Sequence, residues 1–484
     1  MFTRNHFLIG GRGKRPHDDG RLELFSPYTE QTIGSAPRAV SADIDVAVSA
    51  ARESFDEGQW SRMSVGDRVE RLEPLAELLG ERMNDLVELQ VDEVGSPTGF
   101  VRAATQGTLR AIALKSEEAR RIRWTELRDG TVGKVMVMRS PIGVVGVIIP
   151  WNSPVPMLLS RILPALLTGS SIVVKPAEES PLSAYLVADA LERLDLPDGV
   201  VSIVPGGRQV GEHLVRHPGV DKVSFTGSTA AGARVGSLCG QLIRPVTLEL
   251  GGKSAAILLE DIDIAKDLPA IVASAIPNNG QVCFATTRVL APRSRYQEVT
   301  TALSDFVGSL KVGNPHDPDT AVGPVVSERQ RMKIEELIRS GVETGARVVA
   351  GGGRPADQSR GWFVEPTVLA DVDNSSRVAQ EEIFGPVITV TPFDDEDHAV
   401  ALANDSTYGL GGAVFSANTD HALDVASRVR SGTCSVNGAP GGGGGGPFGG
   451  HKLSGLGKEH GEEGWSSYLL LKSVALPAGY EPII

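Results

Sequence analysis

The chain has 484 residues, 41% hydrophobic and 22% charged, with 60 acidic against 47 basic side chains and a formal charge of -13. That length calls for two or three lobes rather than one core. The acidic balance excludes a sequence-independent grip on nucleic acid and offers no attraction to an anionic membrane.

The amino-terminal MFTRNHFLIGG holds no apolar run long enough for a signal peptide. Runs such as VVGVII, residues 144–149, fall far short of the ~20 residues that span a bilayer. Cysteines stand only at 239, 283 and 434. Without a close pair they form no disulfide framework or zinc ribbon, so we expect no metal and a reducing, cytoplasmic setting.

The first 120 residues read as an opening strand region followed by helices. Ser41 is a candidate cap for a helix whose apolar stripe is Val46, Ala47, Ala50, Ala51 and Phe55. A longer helix follows, with Leu72, Leu75, Leu79, Met83 and Leu86 on one face. Between 142 and 250 the runs GVVGVII, SIVV, VVSIV, KVSF and VTLEL alternate with helical segments. Strands buried on both faces lose the in/out alternation, so the pattern predicts a parallel sheet covered by helices, a dinucleotide-binding layout. Ser180 and Pro181 mark the start of one helix there, with Ala184, Leu186, Val187 and Leu191 along it. A second α/β lobe is expected from strands near TRVLAP, ARVVAG, VITVTPF, GGAVF and TCSVNG. The Gly run 441–446 reads as a mobile loop.

No G-x-G-x-x-G follows the first buried strand. Instead KVSFTGSTAAG, 222–232, places Gly227 and Ser228 where a strand gives way to a helix, a site for pyrophosphate at a positive helix end. PGGRQVG, 205–211, is a second such turn, and either turn equally suits a plain connection. Lys175 and Glu178 close the second strand, at the edge where a ribose is held. A carboxylate there favours NAD over NADP, though a solvated ion pair explains the two residues equally well.

Cys283, in NNGQVCFATTR, follows an amide-rich turn and precedes a helix-forming stretch, where backbone dipoles lower a thiol pKa from about 8.5. Cys239 and Cys434 read as small buried hydrophobes. Glu249 ends an apolar strand before two glycines, the place of a general base or of a structural carboxylate. Asn152, in PWNSP, is an oxyanion donor or an ordinary turn residue.

Together these segments resemble the aldehyde dehydrogenase superfamily, nearly end to end and in order. PWNSP at 150–154, KPAE at 175–178, FTGST at 225–229, LELGGKS at 248–254 and NNGQVC at 278–283 carry the likeness, with EEIFGP at 381–386 and PFGGHKLSGLGKEHG at 447–461. The resemblance implies an α/β protein with a Rossmann-type cofactor lobe (1–120 and 142–250), a catalytic lobe (251–465) and a small β oligomerisation element (121–141 and 466–484). It implies a homodimer or homotetramer acting on a small-molecule aldehyde with NAD, with NADP left open. By position, Cys283 matches the nucleophile, Glu249 the base and Asn152 the oxyanion donor. Cofactor contacts match Ile148, Ile149, Pro150, Trp151, Lys175, Glu178, Gly207, Gly211, Phe225, Gly227, Ser228, Leu250, Gly251, Glu382 and Phe384. Ser153 departs from the family's frequent aromatic, which opens or repolarises the aldehyde tunnel. Two alternatives stay in view: a CoA-acylating semialdehyde dehydrogenase, which Glu249 argues against, and a catalytically silent homologue.

Overall fold

The computed structural model describes residues 1–131, 133–440 and 445–480. The amino-terminal segment supplies β1 (Phe2–Thr3), β2 (Phe7–Ile9), β3 (Arg12–Lys14), β4 (Arg21–Phe25) and β5 (Thr32–Pro37). Five helices follow: α1 (Ser41–Glu57), α2 (Val65–Leu72), α3 (Pro74–Gly80), α4 (Met83–Val94) and α5 (Thr98–Arg120).

Helix α1 begins at its expected cap, and the cap itself falls one residue earlier, at Val40. Ser41 is its first helical residue, and the buried Asp43 carboxylate instead accepts the Val40 N–H at 2.9 Å. The buried stripe is Ile44, Ala47, Val48 and Ala51, while Val46 faces solvent. The long second helix is in fact three. Pro74 lacks the N–H that would continue α2, so the chain restarts there. Leu72, Leu75, Leu79 and Leu86 are nonetheless all fully buried. The period survives the break.

Next come β6 (Thr125–Asp129) and β7 (Lys134–Pro141), then the parallel run β8 (Val144–Ile148), β9 (Ser171–Lys175), β10 (Val201–Ile203), β11 (Lys222–Thr226) and β12 (Val246–Glu249). Between them lie α6 (Pro154–Thr168), α7 (Leu182–Glu192), α8 (Arg208–Arg216) and α9 (Thr229–Gln241). The parallel strands stand in the order β12-β11-β8-β9-β10. Val145, Val147, Ile172 and Val174 pack on one side with α6 and α7. Val144, Ile148, Val173 and Phe225 pack on the other with α1, α8 and α9. Each such side chain contributes about 1.5–3 kcal/mol on burial. Ile148 pairs with both Phe225 and Lys175, and Thr226 with Glu249, so the strands end together at one edge. Gly455–Leu456 adds an antiparallel strand beside β12.

The second lobe is a sheet of seven strands. In chain order they are β13 (Ala255–Leu258), β14 (Arg288–Pro292), β15 (Arg347–Ala350), β16 (Thr367–Ala370), β17 (Val387–Phe393), β18 (Gly412–Phe415) and β19 (Ser435–Val436), stacked as β15-β16-β17-β14-β13-β18-β19. Helices α10 (Ile264–Ala275), α11 (Tyr296–Gly308) and α12 (Glu328–Glu343) cover it. A separate three-stranded sheet joins Leu469–Ala475 to β7 and β6. Of the Gly run, residues 441–444 lie outside the described residues.

Helix α7 is not capped by Ser180, whose hydroxyl donates to the Trp151 carbonyl at 3.1 Å. Its free amides are met from another lobe element: the buried Glu93 carboxylate accepts the Leu182 N–H and, at 3.1 Å, the Ser183 N–H. Burial pushes the Glu93 carboxyl up to about 7 despite those donors. Glu93→Ala leaves both amides buried without an acceptor. We expect a loss of about 1–3 kcal/mol, read as an earlier urea midpoint; an unshifted midpoint would refute the long-range cap.

Candidate active site

The order of the first sheet reverses beside β8: the chain passes to β9 and β10 on one side, then returns to β11 and β12 on the other. Ligands of open α/β sheets bind at such a reversal, beyond the carboxyl ends of the strands. The residues picked from sequence fall there. Pro150, Trp151 and Asn152 follow β8, Gly227 and Ser228 follow β11, and Leu250 and Gly251 follow β12. With Cys283, Glu382 and Phe384 from the second lobe they line one cleft of about 220 Å³.

Local chemistry shapes this cleft. The Ser228 hydroxyl accepts the Ala231 N–H at 3.4 Å and so caps α9, leaving the first amides of that helix at the cleft. Gly251 lies against Glu382: an added Cβ would stand 2.6 Å from its Oε2. Glu382 Oε1 accepts the Gly252 N–H at 3.1 Å. Phe384 meets Trp151 edge to face, with ring centroids 5.4 Å apart.

Farther along the same edge, Lys175 is buried and its Nζ donates to the carbonyls of Pro176 at 2.9 Å and Gly206 at 2.6 Å. Burial lowers its ammonium to about 8. Gly207 approaches Glu178 so closely that a Cβ would sit 2.8 Å from Oε2, and Gly211 lies over the side chains of Lys175 and Ile148. Arg38 donates to Glu178 at 2.9 Å. Ile149 and Phe225 are buried beneath this edge and line no part of the cleft. The edge is thus polar at Lys175 and Glu178 and aromatic near the cysteine, an arrangement that suits a dinucleotide laid along it.

Cys283 is held by a strained turn. Asn278 and Asn279 take φ of 52° and 59°, and Gly280 takes 73°. At Gly280 a Cβ would fall 2.0 Å from the Gly385 carbonyl, so only glycine lets the turn close against the Phe384 segment. The Asn152 Nδ2 donates to the Gln281 carbonyl at 2.8 Å, and the Asn278 Nδ2 returns a bond to the Asn152 carbonyl at 2.9 Å. The expected helix after Cys283 does not form; the chain turns and enters β14. No helix dipole therefore acts on the thiol. Burial, with Glu382 and Glu249 nearby, pushes it up to about 12 instead.

Glu249 ends β12 and is 3% exposed. Neither carboxylate oxygen has a hydrogen-bond partner among the described residues. Burial raises this carboxyl to about 8, against the pull of the Arg161 guanidinium. Arg161 itself is buried, 3.4 Å from Glu459 Oε1, and donates to Thr226 Oγ1 at 3.1 Å. Sequence reasoning missed this pair, although Arg161 stands as the lone charge in the apolar helix α6. It also missed Met157, Gln330 and Lys333, which line the cleft. Cys239 is buried as expected, but Cys434 is exposed, because it lies in the loop leading into the edge strand β19. Ser153 lines neither the cleft nor the apolar cavity beside it.

Alkylation of Cys283 in the ligand-free protein, followed by peptide mass spectrometry from pH 6 to 10, should keep accelerating to the upper limit. A plateau below pH 8 would contradict the raised thiol.

A family model described as the aldehyde dehydrogenase family matches residues 15–474. A geranial dehydrogenase of Castellaniella defragrans is 43% identical over 482 residues, 97% of this chain and 98% of that one. A chloroplastic betaine aldehyde dehydrogenase of Beta vulgaris is 36% identical over 483 residues, 98% and 97% of the two. The crystal structure of a Mycobacterium tuberculosis aldehyde dehydrogenase complexed with NAD+ superposes with a TM-score of 0.97 at 43% identity, covering 99% of each chain.

Proposed function

The chain belongs to the aldehyde dehydrogenase family and oxidises an aldehyde with NAD; from that premise we propose that Cys283 is its nucleophile, Asn152 its side-chain oxyanion donor and Glu249 its hydrolytic base. One observation supports this reading above the others. Cys283 lines the cleft that Gly227, Ser228, Glu382 and Phe384 also line, while the Glu249 carboxylate on β12, without a hydrogen-bond partner among the described residues, is near enough to bear on the thiol.

The cofactor would be held by Lys175 and Glu178 at its adenosine ribose, by Gly227 and Ser228 at the pyrophosphate, and by Glu382 and Phe384 near the nicotinamide. When bound, it supplies the hydride acceptor. The Cys283 sulfur attacks the aldehyde carbon, and the thiol proton leaves for solvent or a nearby base. The negative charge that grows on oxygen is met by the second N–H of the Asn152 amide and by the Cys283 backbone N–H; losing one such donor costs ~10²–10³ in rate. Tetrahedral capture matters because an aldehyde releases its hydride only once it is sp³. Loss of that hydride leaves a thioester on Cys283. Glu249 then takes a proton from water, which attacks the thioester and releases the carboxylate. A carboxyl near pH 8 is a strong enough base for this. Hydrolysis by Glu249 disfavours CoA as the acyl acceptor, since a thiol needs no such help.

We also place the protein in the cytoplasm. Among the described residues no helix is long and apolar enough to cross a membrane. Assembly as a dimer or tetramer is supported by the outer sheet, where Met138, Leu470 and Leu471 are exposed on or beside an edge strand. Light scattering at the mass of one chain would overturn that part.

Cys283→Ala should abolish NADH formation while NAD still binds; residual turnover would remove Cys283 from its role. Glu249→Gln should leave a first-turnover burst of NADH and slow the steady state by at least tenfold. In the parent enzyme the steady-state rate should rise with pH through about 8, where Glu249 loses its proton. An undiminished rate in the variant, or acyl-CoA formed on adding CoA, would contradict the hydrolytic scheme.

A further inference from the structure

Beside the cofactor cleft lies a second cavity of about 620 Å³. The two share one wall. Asn278, Val282 and Phe284, which flank Cys283 in the chain, line the second cavity, whereas Cys283 lines the first. The remaining wall comes largely from α10 and α11, with Val272 and Phe306, and from Phe100. Among the described residues lining it there is no Asp, Glu, Lys, Arg or His.

Relatives with similar coverage are named for an uncharged aldehyde and for a cationic one, so membership of the family leaves the substrate class open. The cavity narrows it. Resting on the reading of Cys283 as nucleophile, we propose that this enzyme selects uncharged aldehydes with a medium or long hydrocarbon chain and discriminates against cationic aldehydes. A hydrocarbon chain gains from every methylene it removes from water here, by about three- to four-fold each. A fixed cation gains nothing comparable. Leaving water is costly unless a carboxylate or a close aromatic cage meets the charge, and the wall holds no carboxylate. Its rings are phenylalanines, weaker cation acceptors than tryptophan. Phe284 meets Phe448 edge to face, with ring centroids 6.1 Å apart.

The experiment measures kcat/KM with NAD for butanal, hexanal and octanal, and for betaine aldehyde against its neutral carbon isostere, tert-butylacetaldehyde. The isostere pair changes charge at nearly constant shape. We expect at least a tenfold rise from butanal to octanal, and at least a tenfold advantage of the isostere over betaine aldehyde. A flat or falling series, or betaine aldehyde equal to its isostere, would overturn the proposal. Ala273, on α10, lines the cavity and is exposed, so a larger polar residue there is tolerated by the fold. Ala273→Glu should narrow the isostere ratio at least fivefold and Ala273→Gln should not; an unchanged ratio in the Glu variant would also overturn it. Should no aldehyde yield NADH, the reading of Cys283 fails by itself. Calorimetry with octanol and choline then decides the cavity: tighter octanol binding sustains the proposal, and equal or tighter choline binding ends it.

Discussion

Two buried hydrogen bonds across the lobes tie the nucleophile loop to the cofactor sheet. Asn152, at the end of β8, donates to the Gln281 carbonyl and receives the Asn278 amide on its own carbonyl. The partners are 129 and 126 residues apart in the chain. Because both bonds are buried, breaking either strands a polar group away from water, which costs about 1–3 kcal/mol. The nucleophile loop of one sheet is thereby fixed to the carboxyl edge of the other.

The electrostatics of the junction follow from burial. Glu249, Glu382 and the Cys283 thiol each sit where water is scarce, and each is held toward its neutral form chiefly by that desolvation. The two carboxylates also push the thiol up further. The opposing charge comes from Arg161 beside Glu249 and from Lys333 and Lys253 beside Glu382. Arg161 divides its attention, because it lies even closer to the influence of Glu459 than to Glu249. That sharing leaves desolvation the upper hand at Glu249. A dedicated ion pair would have lowered its pKa and cost it its use as a proton acceptor.

Much of this was legible in the residues. Continuous apolar runs located β8 to β12, because strands covered on both faces need no polar alternation. Motif glycines mark the crowded points of the cleft: Gly280 abuts the Gly385 backbone, Gly251 the Glu382 carboxylate and Gly227 the Phe225 ring. What stayed hidden depends on distance through space. Glu93 caps α7 from 89 residues away, and nothing near Ser180 announces it. The sequence points the Cys283 thiol in the wrong direction, since the burial that chiefly raises it comes from the fold, the carboxylates that add to it lie 99 and 34 positions off, and the helix inferred from composition is absent. Pro74 was visible, but a leucine period running through it suggested one helix rather than three.

The shape of the nucleophile turn has a physical purpose that a regular strand would not serve. A strand shows its side chains to two faces, and here the chain must address three surroundings: the cofactor cleft, the apolar cavity, and the base on β12. The left-handed conformations at Asn278 and Asn279 achieve this at about 1–2 kcal/mol each. Hydrogen bonds offset that cost. Asn279 donates to the carbonyls of Gly95 and Pro324 and accepts the Gly323 N–H, Gln281 accepts the Val326 N–H, and Asn278 reaches Asn152. At about 0.5–1.5 kcal/mol net apiece, five such bonds are of the size needed to offset the strain of two residues. The turn is therefore rigid as well as irregular, and the sulfur it carries is presented in one orientation rather than many.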